Sequence, residues 1–263
     1  MKLKKYWKKW IAILLVVCCL GISIPAAPVQ AAAFSPAALS TGKVYITDDP
    51  EVNYMIEQVC RKIIKPKASK IRNIAAVYAY TAKLSVHYQS KYQKGKIKFN
   101  LGNKTVKKNI ASLDKKNKAL IKSGKAAYIS KMSKNTCRCT GSSWDVRHFL
   151  LTGSGGCDET AHVVHALLGR IGVQSYCFWG RFGSGGHCWN AVKYGGKYYY
   201  LDADSANYNY VTNTDRKVHY DEVFMKSASD LKKLGYRIDA KDAAKYPKCE
   251  KKSLKVNTKS FPV

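Results

Sequence analysis

The sequence predicts an α+β fold in which a helix packs against an antiparallel β-sheet. The helix is predicted over residues 157–170, where apolar side chains recur on one face at helical spacing. The sheet is predicted from two strands, 187–194 and 197–202, because they flank Gly195-Gly196, a pair typical of two-residue hairpin turns. No internal repeat and no linker rich in proline, or in glycine and serine, interrupts the chain, so one domain is the simplest organisation.

The composition indicates a folded and strongly basic protein. The 263 residues are 46% hydrophobic and 11% aromatic, which is enough to bury a core and excludes global disorder. The net charge is +29, so the surface favours anionic partners such as nucleic acid, lipid headgroups or anionic cell-wall polymer.

The first 31 residues have the pattern of a secretory signal peptide. A lysine-rich start is followed by an apolar run over 11–24 and by small residues up to Ala31, after which we expect cleavage. The apolar run is shorter than the roughly 20 residues of a spanning helix, so no stable transmembrane anchor is expected. Cleavage removes five lysines and no acid, which lowers the net charge from +29 to +24. We therefore expect a secreted, extracellular protein that associates with the cell envelope and not with nucleic acid.

The chain between this leader and the 157–170 helix is predicted to be mostly helical. A mobile lead-in over 32–49 precedes the main domain, which we assign to residues 50–245. Its first predicted elements are helices over 50–64, from Pro66 to about Ala82, over 104–123 and over 143–151, a strand over 84–88 and a loop over 152–156. Residues 94–134 are lysine-rich and form the most insertion-like part of the chain.

After the 157–170 helix the predicted elements are short. They are a strand over 173–179, a glycine-rich loop over 180–186, the two hairpin strands, an irregular stretch from Asn207, a short helix near 227–234 and a basic tail over 246–263.

Cys157 follows Gly155-Gly156 and begins a helix. The N–H groups and the dipole of a first helical turn stabilise a thiolate. The two glycines let a substrate backbone approach closely, and the Cys157 N–H is suited to bind a developing oxyanion. These features suit a nucleophile, although a buried structural or disulfide-bonded cysteine fits the same pattern.

The predicted hairpin brings a carboxylate to His187. A two-residue turn at Gly195-Gly196 places His187 opposite Asp204 and leaves Asp202 as its diagonal neighbour on the same face. A carboxylate in either place can hold the imidazole while the other ring nitrogen faces a thiol. Strand pairing alone leaves the choice between the two aspartates open.

The stretch 150–204 resembles the core of the transglutaminase-like superfamily, a branch of the papain-like cysteine enzymes, in its secreted bacterial form. The matching segments are residues 155–161, 167–173, 186–192 and 196–202. The resemblance implies a papain-like α+β core with Cys157 as nucleophile, His187 as base and Asp202, rather than Asp204, as the residue that orients the base. It also makes 50–245 a catalytic domain.

The sequence departs from that family at several positions. Cys188 follows the histidine where alanine is usual, and Cys177 stands where an aliphatic residue is usual. The family also uses an upstream polar or aromatic residue to complete the oxyanion hole, and Tyr88 and Trp144 are both candidates.

The cysteines that remain after cleavage of the leader are odd in number, so at least one is free or pairs between chains. They are Cys60, Cys137, Cys139, Cys157, Cys177, Cys188 and Cys249. Because export permits disulfides, we expect bonds among the six other than Cys157, with no pairing assigned. A metal site of His162 or His165 with these cysteines matches no familiar zinc spacing.

The sequence therefore predicts an enzyme that transfers acyl groups from peptide amides through a cysteine thioester, with hydrolysis favoured over protein cross-linking. We expect no metal and no organic cofactor. The expected partner is a peptide or protein substrate, and an anionic cell-envelope polymer is a candidate second partner. Two alternatives remain: a catalytically silent binding module with the same fold, and a basic envelope-binding protein in which the thiol is incidental.

Overall fold

A computed structural model describes residues 43–84, 97–132, 143–212 and 217–262. The expected signal peptide, most of the expected strand over 84–88, and residues Tyr88, Cys137 and Cys139 lie outside these ranges. Within them, no helix is both long and apolar enough to cross a membrane.

The described chain contains helices and short strands. The helices are α1 (Pro50–Ile63), α2 (Lys70–Leu84), α3 (Lys104–Lys122), α4 (Ser143–Thr152), α5 (Cys157–Arg170), α6 (Ala203–Thr212), α7 (Tyr220–Val223), α8 (Ala228–Lys233) and α9 (Ala240–Ala243). The strands are β1 (Val44–Ile46), β2 (Ala126–Tyr128), β3 (Ser175–Phe182), β4 (Gly185–Tyr194), β5 (Lys197–Leu201) and β6 (Tyr236–Arg237). The predicted helices α1, α3, α4, α5 and α8 are each found within one or two residues of their expected ends.

The main sheet is antiparallel, with the strand order β5-β4-β3-β6. Asn190 lies opposite Leu201, which is the register that a two-residue turn at Gly195-Gly196 predicts. Both glycines have positive φ, 58° and 80°, as a type I′ turn requires. The α+β fold with a helix on an antiparallel sheet is therefore confirmed.

The expected glycine-rich loop over 180–186 is wrong, because β3 and β4 continue through it as a hairpin. Phe182 pairs with Gly185, and Gly183, with φ of 58°, makes the turn. At Gly180 a Cβ would lie 2.2 Å from the Arg237 carbonyl oxygen and 2.5 Å from the Trp189 ring. Glycine at position 180 therefore lets the Arg237 backbone and the Trp189 ring pack directly against β3. Here glycine permits close packing within a strand and does not form a loop.

The sheet has two packed faces. On one face, Cys177 and Cys188 form a cluster with Ala161 of α5. On the other face, Phe178, Trp189 and Tyr200 form the centre of an aromatic core that includes Val223, Leu231 and Tyr236. Helix α5 is buried along nearly its whole length, which fixes the position of its first residue, Cys157, against the sheet.

Two expected boundaries at the start of the domain are corrected. Residues 44–46, placed in the mobile lead-in, form β1, which pairs in parallel with β2 and buries Val44 and Ile46. Helix α2 begins at Lys70 instead of Pro66, because the side chain of Asn73 bonds both the backbone N–H and the carbonyl of Lys65 and holds the preceding residues in a turn.

The C-terminal segment packs on the domain and is not a free tail. The Glu250 N–H donates to the Tyr198 carbonyl, and the Leu254 N–H donates to the Met225 carbonyl. Phe261 is buried against Tyr220 and Phe224. Backbone hydrogen bonds and the buried Phe261 therefore hold residues 250–261 on the domain. The sequence composition predicted only that this segment is a basic tail.

Candidate active site

Cys157 is the first residue of α5, and the residues around it shape the helix N-terminus. The Gly156 N–H donates to Glu159 Oε2 at 2.7 Å, so the third helical residue caps its own helix. Gly155 is required beside it, because a Cβ there would lie 2.5 Å from Glu159 Oε2 and 2.9 Å from Glu159 Cβ. Cys157 therefore lies at a capped helix N-terminus, where the backbone N–H groups of the first turn have no acceptor within the helix.

Helix α4 supports this N-terminus from outside. His148 Nδ1 bonds Glu159 Oε1 at 2.7 Å, which is the second oxygen of the capping carboxylate. The Trp144 ring stacks on the His148 ring with centroids 5.2 Å apart. Trp144, a candidate for the oxyanion hole, is 64% exposed and lies over His148. The other candidate, Tyr88, lies outside the described residues.

His187 lies on β4 between a carboxylate and the Cys157 thiol. Its Nε2 donates to Asp202 Oδ2 at 2.6 Å. Burial lowers the pKa of the imidazole, but the hydrogen bonds to Asp202 and Cys157 and the negative charge of both groups outweigh burial and raise the pKa to about 10. Because Asp202 occupies Nε2, the hydrogen bond to Cys157 uses Nδ1.

Asp202 has two structural roles. Its Oδ1 accepts the backbone N–H groups of Asp204 at 2.9 Å and Ser205 at 3.0 Å, so it caps the N-terminus of α6. Its Oδ2 accepts His187 and also the Tyr236 hydroxyl at 2.6 Å. A carboxylate that is only 1% exposed is stabilised by this set of four donors.

The structure decides between the two candidate aspartates. Strand β5 ends at Leu201, so the chain turns into α6 before it reaches the position opposite His187. Asp204 lies in the first turn of that helix, where its backbone N–H donates to Asp202. Cys157, His187 and Asp202 are thus brought together, and Asp204 is not the carboxylate on the imidazole.

Tyr236 is a site residue that the sequence did not indicate. It belongs to the two-residue strand β6, and its hydroxyl donates to the oxygen of Asp202 that also accepts His187. Phe182, Trp189 and Tyr236 surround the imidazole, with ring centroids 5.7, 6.0 and 5.7 Å from that of His187. No local pattern marks Tyr236, because its role depends on pairing between β6 and β3.

The other histidines considered have partners away from Cys157. His162 Nδ1 bonds Asp145 Oδ2 at 2.8 Å, and His165 Nδ1 bonds the Ser175 hydroxyl at 2.9 Å. Burial, with a smaller effect of His162, lowers the pKa of His165 to about 3. His165 is therefore neutral at physiological pH and fills the core between α5 and β3.

The expectation of disulfide bonds fails for the cysteines that the structure describes. None of the five described cysteines, Cys60, Cys157, Cys177, Cys188 and Cys249, forms a disulfide bond. Cys157 packs against the cluster of Ala161, Cys177 and Cys188 without a covalent bond. The small cysteine side chains here fill space between α5 and the sheet.

The fold and this arrangement define a papain-like α+β domain with a cysteine helix packed on an antiparallel sheet. Residues 104–203 match the family model of the transglutaminase-like superfamily, and the matched segment belongs to that superfamily, whose members are usually cysteine enzymes. The match includes Cys157, His187 and Asp202 and begins at the first residue of α3. Helix α3 and β2 lie within the matched segment, which begins inside the lysine-rich part expected over 94–134. No curated protein matches the chain.

Proposed function

We propose that this protein is a secreted cysteine enzyme that transfers acyl groups from peptide amides. Cys157 is the nucleophile, His187 the general acid and base, and Asp202 the residue that orients the imidazole. The observation that carries the proposal is the 2.6 Å bond from His187 Nε2 to Asp202 Oδ2, which leaves Nδ1 to a thiol at a helix N-terminus. Membership of the transglutaminase-like superfamily supports the same assignment.

The first step forms a thioester. A protonated imidazole beside a thiol favours the thiolate, which attacks the carbonyl carbon of the amide. Negative charge develops on the carbonyl oxygen, where the Cys157 N–H and the α5 dipole stabilise it. His187 then donates its Nδ1 proton to the leaving nitrogen, the C–N bond breaks, and the amine departs.

The second step regenerates the thiol. Neutral His187 accepts a proton from water as the water oxygen attacks the thioester carbonyl, and cleavage of the C–S bond releases a carboxylic acid. A primary amine in place of water gives a new amide, which is cross-linking. We favour hydrolysis because preferential use of an amine requires a site that excludes water.

The second partner that we propose is an anionic polymer of the cell envelope, bound through α3. Only Ile110 and Asn117 of this helix are buried, and its single acid, Asp114, is bridged by Lys118 at 2.7 Å. The exposed lysines of α3 are Lys104, Lys107, Lys108, Lys115, Lys116, Lys118 and Lys122. The positive charge of this surface is complementary to an anionic polymer and supports the proposed second partner. The same lysines also favour the alternative of a protein that only binds the envelope.

Thiol alkylation mapped by mass spectrometry tests the enzyme proposal. Iodoacetamide is expected to label Cys157 rapidly at pH 6, and the His187→Ala variant is expected to lose that rapid labelling. Cys249 is an internal reference, because burial raises the pKa of its thiol to about 12. The matched control is His219→Ala, which removes a histidine at the start of α7 and is expected to label like the wild type.

Two results would contradict the enzyme proposal. One is labelling of Cys157 only above about pH 8, as for an ordinary thiol. The other is equal labelling in the wild type and the His187→Ala variant. Either result would favour the silent binding module, and envelope binding unchanged by Cys157→Ala would then identify the lysine surface as the functional feature.

A further inference from the structure

We propose that a pocket beside His187 binds a bulky apolar side chain of the substrate, on the residue that supplies the amine nitrogen of the reacting amide. This inference rests on the proposed acyl transfer and defines the class of amine that leaves or attacks. It makes Phe182, Tyr208 and Leu234 specificity residues.

The pocket has a volume of about 650 Å³ and lies between the end of β3, α6, α7, α8 and β6. A volume of this size accommodates a large side chain with part of its backbone. Its apolar and aromatic lining consists of Phe182, Tyr208, Val223, Leu234 and Tyr236.

Apolar surface is exposed at this pocket to an unusual degree. In the described ranges, five large hydrophobic side chains are exposed, and three of them line the pocket. They are Phe182 at 44%, Tyr208 at 67% and Leu234 at 45% exposure. Scattered exposed hydrophobic residues need no explanation, but a group around one cavity marks a surface that a ligand covers.

The pocket shares two lining residues, Phe182 and Tyr236, with the surroundings of His187. The Phe182 ring lies 5.7 Å from the His187 ring and 4.6 Å from the Tyr236 ring. Tyr236 lines the pocket while its hydroxyl bonds Asp202. A side chain in the pocket therefore lies one aromatic ring away from the imidazole.

The charges at the pocket favour an apolar occupant. Asp221, Glu222 and Asp230 line it together with Lys226 and Lys233, so acids and lysines nearly balance. Asp230 already accepts hydrogen bonds from Ser253 at 2.6 Å and from Lys233 at 3.5 Å. The remaining charges give no strong preference for a charged side chain, and the aromatic walls determine the selectivity.

The chemistry places the amine half of the substrate at this pocket. His187 protonates the leaving nitrogen and deprotonates its replacement, so that nitrogen must lie within hydrogen-bonding distance of Nδ1. Phe182 and Tyr236 line the pocket and flank the imidazole, whereas no lining residue belongs to the cluster that packs around Cys157. The pocket is therefore assigned to the side chain attached to the amine and not to the acyl chain on Cys157.

Partitioning of an acyl-enzyme tests the inference without knowledge of the natural substrate. p-Nitrophenyl acetate transfers its acetyl group to Cys157 and releases p-nitrophenol. Phenylalanine amide and glycine amide then compete for the thioester: the amine nitrogen bonds the carbonyl carbon, the C–S bond breaks, and the amine proton passes to His187. Mass spectrometry measures the ratio of the two acetylated amides, corrected for the ratio in a Cys157→Ala blank.

The expected ratio favours phenylalanine amide by about tenfold, the low end for burial of one aromatic side chain in an open pocket. Tyr208→Ala and Leu234→Ser are expected to bring the ratio close to one. The control Tyr128→Ala removes a tyrosine of β2 that is 39% exposed and is expected to keep the wild-type ratio.

Failure of the inference and failure of the proposed function give different results. Release of p-nitrophenol above the blank, with a ratio near one or a ratio unaffected by both pocket variants, would overturn the pocket and leave the acyl transfer intact. A preference for lysine amide or aspartate amide would likewise overturn an apolar occupant. Release no faster than in the Cys157→Ala blank would contradict the proposed function and the inference with it.

Discussion

Tyr236 donates its hydroxyl to Asp202 Oδ2 at 2.6 Å, and the same oxygen accepts the Nε2–H of His187, also at 2.6 Å. The carboxylate that orients the candidate base is therefore itself held by a residue of another strand. Burial raises the pKa of Tyr236, followed by the charge of Asp202, so the phenol stays protonated and remains a donor. We therefore predict that Tyr236 is a positioning residue for the Asp202 carboxylate.

Tyr236→Phe is expected to slow labelling of Cys157 at pH 6 by about tenfold. The change removes one hydrogen bond to a charged acceptor, which contributes about 1.5–3 kcal/mol, and loosens the Asp202 carboxylate that holds His187. The control Tyr220→Phe also removes a tyrosine hydroxyl, which bonds the Pro262 carbonyl and not Asp202. Tyr220→Phe is expected to lose about 0.5–1.5 kcal/mol in urea unfolding and to keep the wild-type labelling rate of Cys157. Equal labelling rates in the Tyr236→Phe and Tyr220→Phe variants would rule out a positioning role for Tyr236.

Asp202→Asn is expected to reduce the catalytic rate by a factor of about 10²–10⁴, as for loss of the orienting carboxylate in a triad. Asparagine caps a helix as well as aspartate, so α6 should remain folded and the loss should reflect the imidazole. Asp204→Asn is the matched variant two residues later and is expected to keep most of the activity. A larger loss of ester hydrolysis in Asp204→Asn than in Asp202→Asn would show that Asp204, and not Asp202, orients His187.

The stability of the protein is expected to fall as the pH rises from about 6.5 towards 10. The pKa of His187 is raised from 6.5 to about 10 in the folded chain. Its contribution is therefore complete below the unfolded value and is lost as the pH passes the folded value. Urea unfolding at several pH values measures this, and the loss should be smaller in His187→Gln. Equal pH dependence in both proteins would exclude His187 as the source.

Gly155→Ala is expected to destabilise the protein by about 1–3 kcal/mol and to slow labelling of Cys157. Its Cβ would lie 2.5 Å from Glu159 Oε2, so it would displace the carboxylate that caps α5. At Gly102, by contrast, a Cβ would meet nothing within 4 Å. Gly102→Ala should therefore unfold at nearly the wild-type urea concentration, and a similar loss in both variants would argue against the capping interaction.

Binding to poly(glycerol phosphate) is expected to depend on where the lysines lie as well as on their number. Replacement of Lys107, Lys108, Lys115 and Lys116 of α3 by glutamine should lower the affinity for the polymer. It should also make the affinity less dependent on the salt concentration. The control replaces the scattered exposed lysines Lys65, Lys67, Lys232 and Lys252 and changes the net charge equally. Equal effects in a salt titration would show that only the total charge matters.

Local patterns account for the parts of the site that the sequence predicted. Apolar residues at helical spacing predicted α5 from Cys157 to Arg170, and the glycine pair predicted the turn and register between β4 and β5. Both signals depend on residues close together in the chain. The resemblance to the transglutaminase-like superfamily chose Asp202, which hairpin geometry alone had left equal with Asp204.

Contacts between distant residues account for what the sequence missed. Pairing of β1 with β2, pairing of β6 with β3 beside Gly180, and the packing of Phe261 all join segments that are far apart in the chain. The expected disulfides were inferred from export, whereas the tertiary structure uses the described cysteines as small buried side chains.

By itself, the sequence determined the helix that begins at Cys157, the hairpin that carries His187 and the basic character of the surface, because helical periodicity, positive-φ turns and charge are local properties. The tertiary structure decided that Asp202 both caps a helix and accepts the hydrogen bond of His187, and that the Tyr236 hydroxyl donates to the same carboxylate oxygen. It also decided that an apolar pocket lies next to the aromatic rings beside the imidazole. These features depend on where β5 ends and where β6 joins the sheet, and packing of the whole domain sets both.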